Sequence, residues 1–268
     1  MTASARAKCV GCEGETTVFG SREGYDYVRC VRCGTVQLDP MPSRHDLDRA
    51  YSEDYATSGH YGTDPEKIFV EGMPFYRAVV EALAEVGEDV GRVLDFGCGW
   101  GGMCRLLKAG GRDYMGIDFE SESLEDCRAS GLNVRAESLE SLASAGERFD
   151  AMVMVTVFEH LQDHEAFFDD ARRVLGSDGA LVVLIPTSGL TAALAQALKR
   201  LWRKDDLPAV NTTFTPPWHT AIFSVPGFKA IARRKGFVVE RAVEAHKPAD
   251  PVQGEAEADL QRRKLRED

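Results

Sequence analysis

Val93-Leu94-Asp95-Phe96-Gly97-Cys98-Gly99-Trp100-Gly101-Gly102 is the stretch that decides the fold. An apolar strand start runs into an acid and then into alternating glycines. Met103, Leu106 and Leu107 follow at helical spacing, and Gly110-Gly111 closes that helix. Glycine carries no Cβ, so backbone in such a turn can come close to a ligand. Strand, glycine turn and helix form the first half of a nucleotide-binding α/β unit. The fold expected is an α/β, Rossmann-like sheet with helices on both faces.

Gly97, Gly99 and Gly101 fit a GxGxG turn, while Gly97, Gly99 and Gly102 also fit the GxGxxG of dinucleotide enzymes. Asp95 separates the readings. A dinucleotide sets an anionic pyrophosphate against this turn, where a carboxylate two residues before the first glycine repels it. S-adenosylmethionine presents a cationic ammonium and sulfonium, which the same carboxylate attracts. Gly116-Ile117-Asp118-Phe119 ends the expected second strand. Asp118 follows the glycines by about 20 residues, the spacing of an acid that accepts both ribose hydroxyls. The alternative is a tight turn that binds nothing.

Residues 91–187 resemble the core of a class I S-adenosylmethionine-dependent methyltransferase, and a weaker similarity continues to about residue 244. The resemblance rests on VLDFGCGWGG at 93–102, GIDFE at 116–120, FDAMVMVTVFEHL at 149–161 and ALVVLIP at 180–186. It implies a cofactor site built from Asp95, Gly97, Gly99, Gly101, Asp118 and Val155. Ser138 and Leu139 occupy the place where the family contacts adenine. Phe119 is read either along the adenine face or as an ordinary core phenylalanine. The Glu159-His160 pair is frequent in the family, with its histidine catalytic in some members and structural in others. His160 is therefore one candidate base, and a helix-capping histidine is its alternative. His219, which precedes Phe223-Ser224 and the last helix, is the second candidate. His45 and His164 read as surface residues.

A length of 268 residues accommodates one sizeable core and a small accessory unit. Hydrophobic residues at 44% and charged residues at 28% are ordinary for a soluble globular chain. No apolar run reaches the roughly 18 residues that span a bilayer. Met1–Val10 holds no apolar core of a secretory signal, so a cytoplasmic enzyme is expected. The net charge of −11 repels polyphosphate and argues against nucleic acid as a partner. The basic clusters at 199–204, 233–235 and 262–264 are short and read as solvated helix faces.

Cys9-Val10-Gly11-Cys12 and Cys30-Val31-Arg32-Cys33 form C-x2-C-x17-C-x2-C, with Gly34 directly after. This is the spacing of a four-thiolate zinc site. Short strands are expected at 16–19 and 25–28, making a zinc ribbon. So small a unit buries too little apolar surface to fold alone, and metal binding supplies the missing energy. Four thiolates leave zinc no open position, so Cys9, Cys12, Cys30 and Cys33 are read as structural ligands. Disulfides are the alternative, disfavoured in a cytosolic chain. Cys98, Cys104 and Cys127 receive no catalytic role.

The expected organisation is a ribbon at 1–40, a linker and helical lid at 41–90, and the S-adenosylmethionine-binding core at 91–187. A substrate cap and the end of the core follow at 188–245, then a polar tail at 246–268. Ser43 caps a helix reaching Tyr51, and Tyr55, His60 and Tyr61 are candidate lid contacts or surface aromatics. Further helices are expected at 74–86, 121–129, 167–175 and 226–235, with strands at 132–135, 151–155, 180–185 and 237–242. No seventh strand is evident. The inserted stretch 187–206 carries Leu190, Leu194, Ala197, Leu198, Leu201 and Trp202 on one side, and the resemblance implies that 188–220 forms the pocket roof. A membrane-surface helix is its competitor.

Together these readings suggest a methyltransferase acting on a small molecule by O- or C-methylation, in sugar or natural-product biosynthesis. The order of ribbon, helix and core resembles zinc-bearing deoxysugar C-methyltransferases, which continue with a large further domain. Two alternatives stand beside it. One is an RNA methyltransferase with a zinc module. The other is a zinc-ribbon binding protein around a vestigial core.

Overall fold

The structure is a computed structural model that describes residues 7–53, 64–87, 90–119, 121–202, 206–207 and 213–243. The chain opens with β1 (Thr16–Arg22), β2 (Tyr25–Cys30) and β3 (Val36–Leu38). Glu23-Gly24 joins the first two as a two-residue hairpin turn. α1 (Arg44–Glu53) starts where expected, the Asp46 amide donating to Ser43 Oγ at 3.2 Å. α2 (Pro65–Val86) starts at Pro65 rather than near Pro74. Asp64 accepts the amides of Glu66 and Lys67, and Pro65 fills the first turn, where no amide is needed.

Strands and helices then alternate: β4 (Val93–Phe96), α3 (Gly102–Ala109), β5 (Tyr114–Asp118), α4 (Glu122–Ala129), β6 (Val134–Ala136), α5 (Leu139–Ala145), β7 (Ala151–Val155), α6 (His164–Leu175) and β8 (Ala180–Leu184). These five strands pair in parallel in the order β6-β5-β4-β7-β8. Val93, Leu94, Ala151, Met152, Val153 and Met154 are fully buried, as a parallel sheet covered on both faces requires. One face packs Leu94, Met152 and Phe158 against Phe168 of α6. The other packs Val93 and Val153 against Leu83 of α2 and Leu107 of α3. The strand order reverses between β4 and β7, so the carboxyl ends of these two strands flank the crevice of an open α/β sheet.

α7 (Ser188–Trp202), β9 (Ala221–Ile222) and α8 (Val225–Arg234) complete the described elements. β9 does not join the parallel sheet. It pairs antiparallel with β3, Val36 opposite Ile222 and Gln37 opposite Ala221, making a second sheet in the order β1-β2-β3-β9. The cysteine ribbon is thus closed by a strand from the far end of the chain.

Two expectations are corrected here. The face of α7 carrying Leu190, Leu194 and Leu201 is exposed, not the packing face. The helix instead sets Ala192 and Ala195 against Phe19, Tyr27, Val36 and Leu38 of the ribbon sheet, because small side chains let a helix approach a sheet closely. Nor does a strand form at 237–242. Phe237 and Val239 pack on the core while Val238 points outward, so the alternation of a strand is present. No ladder partner joins it among the described residues, and β8 is the last strand of that sheet.

Candidate functional site

The glycine turn leaves β4 beside the carboxyl end of β5. Gly97 has φ 73°, and a Cβ there would lie 2.6 Å from Val157 Cγ2. Gly97→Ala is expected to cost about 1–2 kcal/mol from the left-handed backbone alone, with the Val157 overlap added. A melting temperature equal to that of the wild type would contradict this. Gly101 has φ 72°, and a Cβ there would meet Leu132 Cδ1 at 2.6 Å. Asp118 ties the turn to β5: Oδ2 accepts the Gly99 amide at 2.7 Å, and Oδ1 accepts the Phe119 amide at 2.7 Å. Asp95 lies beneath, 2% exposed, accepting the Cys104 thiol at 3.3 Å. Burial pushes its carboxyl up to about 7, and the charge of Asp118 adds to the rise. A cation seated above this pair would favour the ionised form of both acids.

The histidines lie past the carboxyl end of β7. Thr156 leaves the strand at φ 54°, a conformation that costs energy for a β-branched residue. A short 3-10 turn, Phe158–His160, follows. Tyr51 Oη lies 3.0 Å from His160 Nδ1, and the rings of His160 and His219 meet edge to face with centroids 4.7 Å apart. Nδ1 of His219 lies 2.8 Å from the Thr213 carbonyl, which can only accept, so this nitrogen carries the proton. Thr215 Oγ1 is its other neighbour, at 3.1 Å. In the neutral ring Nε2 is therefore the basic atom. Burial holds His160 down to about 3, with His219 adding to the shift, so its imidazole is neutral. Glu159 is 2% exposed, and its Oε2 has no hydrogen-bond partner among the described residues. Burial pushes this carboxyl up to about 8. Basic atoms of Glu159, His160 and His219 all lie within 4.8 Å of one another. One carboxyl and two imidazoles so close can pass a proton or hold a divalent cation.

The four ribbon cysteines converge as their spacing predicts. Sγ of Cys9 and Cys33 are 3.6 Å apart, and Sγ of Cys12 and Cys30 are 3.4 Å apart. Thiolates about 2.3 Å from a tetrahedral ion stand roughly 3.8 Å from each other, so the set fits a metal with little movement. Each pair also turns an amide onto its first sulfur: Cys12 N to Cys9 Sγ at 3.5 Å and Cys33 N to Cys30 Sγ at 3.4 Å. Arg32 Nε donates to Cys12 Sγ at 3.3 Å, further favouring the thiolate. None of the seven cysteines is joined in a disulfide.

Residues 69–242 match the family model described as methyltransferase domain. The chain belongs to that family. A ubiquinone biosynthesis O-methyltransferase of Chelativorans sp. (strain BNC1) is 30% identical over 54% of this chain and 52% of its own. One of the same description from Sinorhizobium medicae (strain WSM419) is 29% identical over 59% of each. The chain spans about half the length of the curated relatives it matches. Among solved structures, magnesium protoporphyrin IX methyltransferase from Synechocystis PCC 6803 superposes with a TM-score of 0.50 at 17% identity. That match covers 76% of this chain and 90% of the other, and it shows the fold.

Within this methyltransferase domain, Asp95, Gly97, Gly99, Gly101, Asp118 and Val155 all stand at the carboxyl ends of β4, β5 and β7 or in the turn after β4. Phe119 is 72% exposed beside them, so the core reading of that residue fails. Ser138 caps α5, its Oγ accepting the Ser141 amide at 3.1 Å, and the Leu139 side chain is buried in the core. Tyr55, His60 and Tyr61 lie outside the described residues, as do 203–205, 208–212 and the tail from 244.

His164 corrects a further expectation, for it is buried rather than superficial. Nε2–H donates to the Phe158 carbonyl at 3.0 Å, and the ring packs edge-on against Phe158 and Phe223. Burial holds it down to about 4, against that hydrogen bond and the charge of Asp163. The unfolded chain, with an ordinary histidine near 6.5, therefore binds more protons at acid pH. This share of stability is complete above about 6.5 and disappears as pH falls toward 4, roughly 3 kcal/mol in all. His164→Phe is expected to flatten the denaturation midpoint between those limits. An unchanged pH slope in that variant would rule out His164 as its source.

Sequence reasoning missed the partners that hold the histidines: Tyr51 as a hydrogen-bonding group, Thr213 and Thr215. Only Tyr51 had a signal, a phenol on a helix face otherwise read as apolar.

Proposed function

We propose that this chain is an S-adenosylmethionine-dependent methyltransferase that methylates an oxygen of a small molecule, and that zinc occupies the four cysteines as a structural ion. The observation that carries the reading is that two kinds of group stand past the carboxyl ends of adjacent strands of one parallel sheet. At the β4 and β5 side lie the glycine turn and the acids Asp95 and Asp118. At the β7 side lie Glu159, His160 and His219. The O-methyltransferase descriptions of the relatives favour oxygen as the acceptor atom over carbon.

Bound S-adenosylmethionine supplies an electrophilic methyl carbon. In this reading Asp118 accepts ribose hydroxyls from it, and Asp95 balances its positive charge. Displacement at that carbon forms the acceptor O–C bond and breaks the S–C bond, leaving S-adenosylhomocysteine. The hydroxyl proton must go to a base, and Nε2 of His219 is the better match. A group held down to about 3, as His160 is, takes a proton from a phenol poorly. His160 and Tyr51 then orient the acceptor and its base. Placing the two reactants in line can contribute about 7–11 kcal/mol in favourable cases.

Zinc is supported by the sulfur geometry, and its thiolates suit a reducing compartment such as the cytoplasm. No helix among the described residues is long and apolar enough to cross a membrane. The net charge of −11 disfavours the RNA methyltransferase reading. The ordered acid–glycine contacts disfavour the vestigial one.

Calorimetric titration with S-adenosylhomocysteine tests the assignment. The wild type is expected to bind, and Asp118→Ala to lose about 1.5–3 kcal/mol for each charge-assisted hydrogen bond removed. Equal affinity in the two proteins refutes the ribose role of Asp118. Absence of binding in the wild type refutes the cofactor.

A further inference from the structure

The ribbon is joined to the histidine pair by a short chain of hydrogen bonds centred on the buried residues Gln37, Leu38 and Thr220. Gln37, on β3, is 2% exposed and spends its whole side chain on the first cysteine knuckle. Its Oε1 accepts the Val10 amide at 2.8 Å, and its Nε2 donates to the Lys8 carbonyl at 3.1 Å. Its backbone meanwhile pairs with Ala221 of β9. One residue on, the Leu38 amide donates to the carbonyl of Thr220 at 2.9 Å. Thr220 is fully buried and immediately follows His219. Its amide donates to the Glu159 carbonyl at 2.9 Å, and its hydroxyl lies within hydrogen-bond distance of the carbonyls of Glu159 and Leu161, at 3.1 and 2.5 Å. Those two carbonyls bracket His160.

The second knuckle grips the same segment from its other end. Ser224 Oγ donates to the Cys33 carbonyl at 2.6 Å, and the Ser224 amide donates to Thr35 Oγ1 at 3.2 Å. Ser224 also caps α8 by accepting the Gly227 amide at 3.0 Å. The packing there is close, since a Cβ on Gly227 would fall 2.1 Å from Thr35 Oγ1. Residues 220–224 are thus held between both knuckles, with His219 at one end and the start of α8 at the other.

We propose that Gln37 and Thr220 are positioning residues through which the cysteine knuckles fix His219 against His160, so that the ribbon is part of the active-site frame. This rests on the reading of that histidine pair as the reacting end of the crevice. The alternative, a ribbon that serves only overall stability, predicts nothing about the imidazoles. Buried hydrogen bonds between fixed partners resist small displacements, because each group left unpaired costs its full desolvation. A shift at β3 is therefore passed on to Thr220 rather than absorbed.

The test uses the full chain loaded with zinc and compares Thr220→Val, Thr220→Ser and Gln37→Leu with the wild type. Thr220→Val keeps the shape and removes the hydroxyl; Gln37→Leu cuts the link to the first knuckle without touching the crevice. The readouts are the imidazole carbon–proton resonances of His160 and His219, and affinity for S-adenosylhomocysteine. Displaced or broadened resonances for both histidines are expected in Thr220→Val and Gln37→Leu. Thr220→Ser should restore them, and cofactor-product affinity should stay within twofold throughout. Wild-type resonances in Thr220→Val and Gln37→Leu, with only a lowered melting temperature, would overturn the proposal. A wild type that fails to bind S-adenosylhomocysteine would overturn the functional reading instead, and the imidazole comparison would still decide the coupling.

Discussion

Replacing His219 by alanine is expected to lower methyl transfer by about 10²–10⁴-fold, the range usual for loss of a general base. The loss should fall on kcat, with S-adenosylhomocysteine affinity nearly unchanged, because the glycine turn and Asp118 lie on other strands. Nδ1 of His219 is committed to the Thr213 carbonyl, so the lone pair that takes a proton is that of Nε2. His219→Gln keeps a polar group of similar reach yet cannot serve as a base, and it should be as impaired as the alanine variant. His160→Ala should be impaired as well, through loss of the partner on which the His219 ring rests at 4.7 Å. A panel of small phenols and catechols, with S-adenosylhomocysteine release as the readout, supplies the comparison. Wild-type turnover by His219→Gln would remove this residue from the chemistry.

Removing the zinc proposed for the cysteine cluster should be at least as damaging, but to stability. Structural zinc contributes about 10–16 kcal/mol in small peptides, as large as the whole stability of a typical domain at about 5–15 kcal/mol. Part of that energy here supports surface beyond the ribbon. Phe19, Tyr27, Val36 and Leu38 share one core with Ala192 and Ala195 of α7, Phe214 and Ile222. Chelation, or Cys30→Ala, is therefore expected to expose amides of α7 and β9 to hydrogen exchange together with those of β1–β3, while β4, β5 and β7 stay protected. Protection that survives in α7 and β9 after verified metal loss would show that the ribbon and the cap fold independently.

The parts of this arrangement that could be read from the sequence are those written in local pattern. An apolar strand entering alternating glycines, an acid at the right distance and paired CxxC knuckles each impose geometry on a few neighbouring residues. β9 was not legible, because two residues carry no periodicity and their partner lies near the other end of the chain. α7 was misread for a different reason. Its leucines mark an amphipathic helix, yet the face that packs is the one carrying Ala192 and Ala195, where contact is gained by closeness rather than by size. His164, expected at the surface, lies between the charged Asp163 and Glu165. Those acids belong to the capped first turn of α6, whose inner side faces Phe158 and Phe223. Both histidines read as pocket residues from the resemblance, but their ring contact and the place of Glu159 beside them were not legible, since nothing in the spacing from 160 to 219 fixes how the chain returns.

The closure of the ribbon by β9 also bears on how the chain is born. Thr35 leaves the ribosome 189 residues before Ser224, its buried partner. Throughout that interval β3 has an open edge, and unpaired strand edges recruit other strands. A metal captured early would hold the two knuckles together while the remaining sheet is still being translated, leaving a docking groove for residues 220–224 to fill last. The second sheet is then completed only once β9 has been made, and nascent chains cut short of β9 would lack its closing strand.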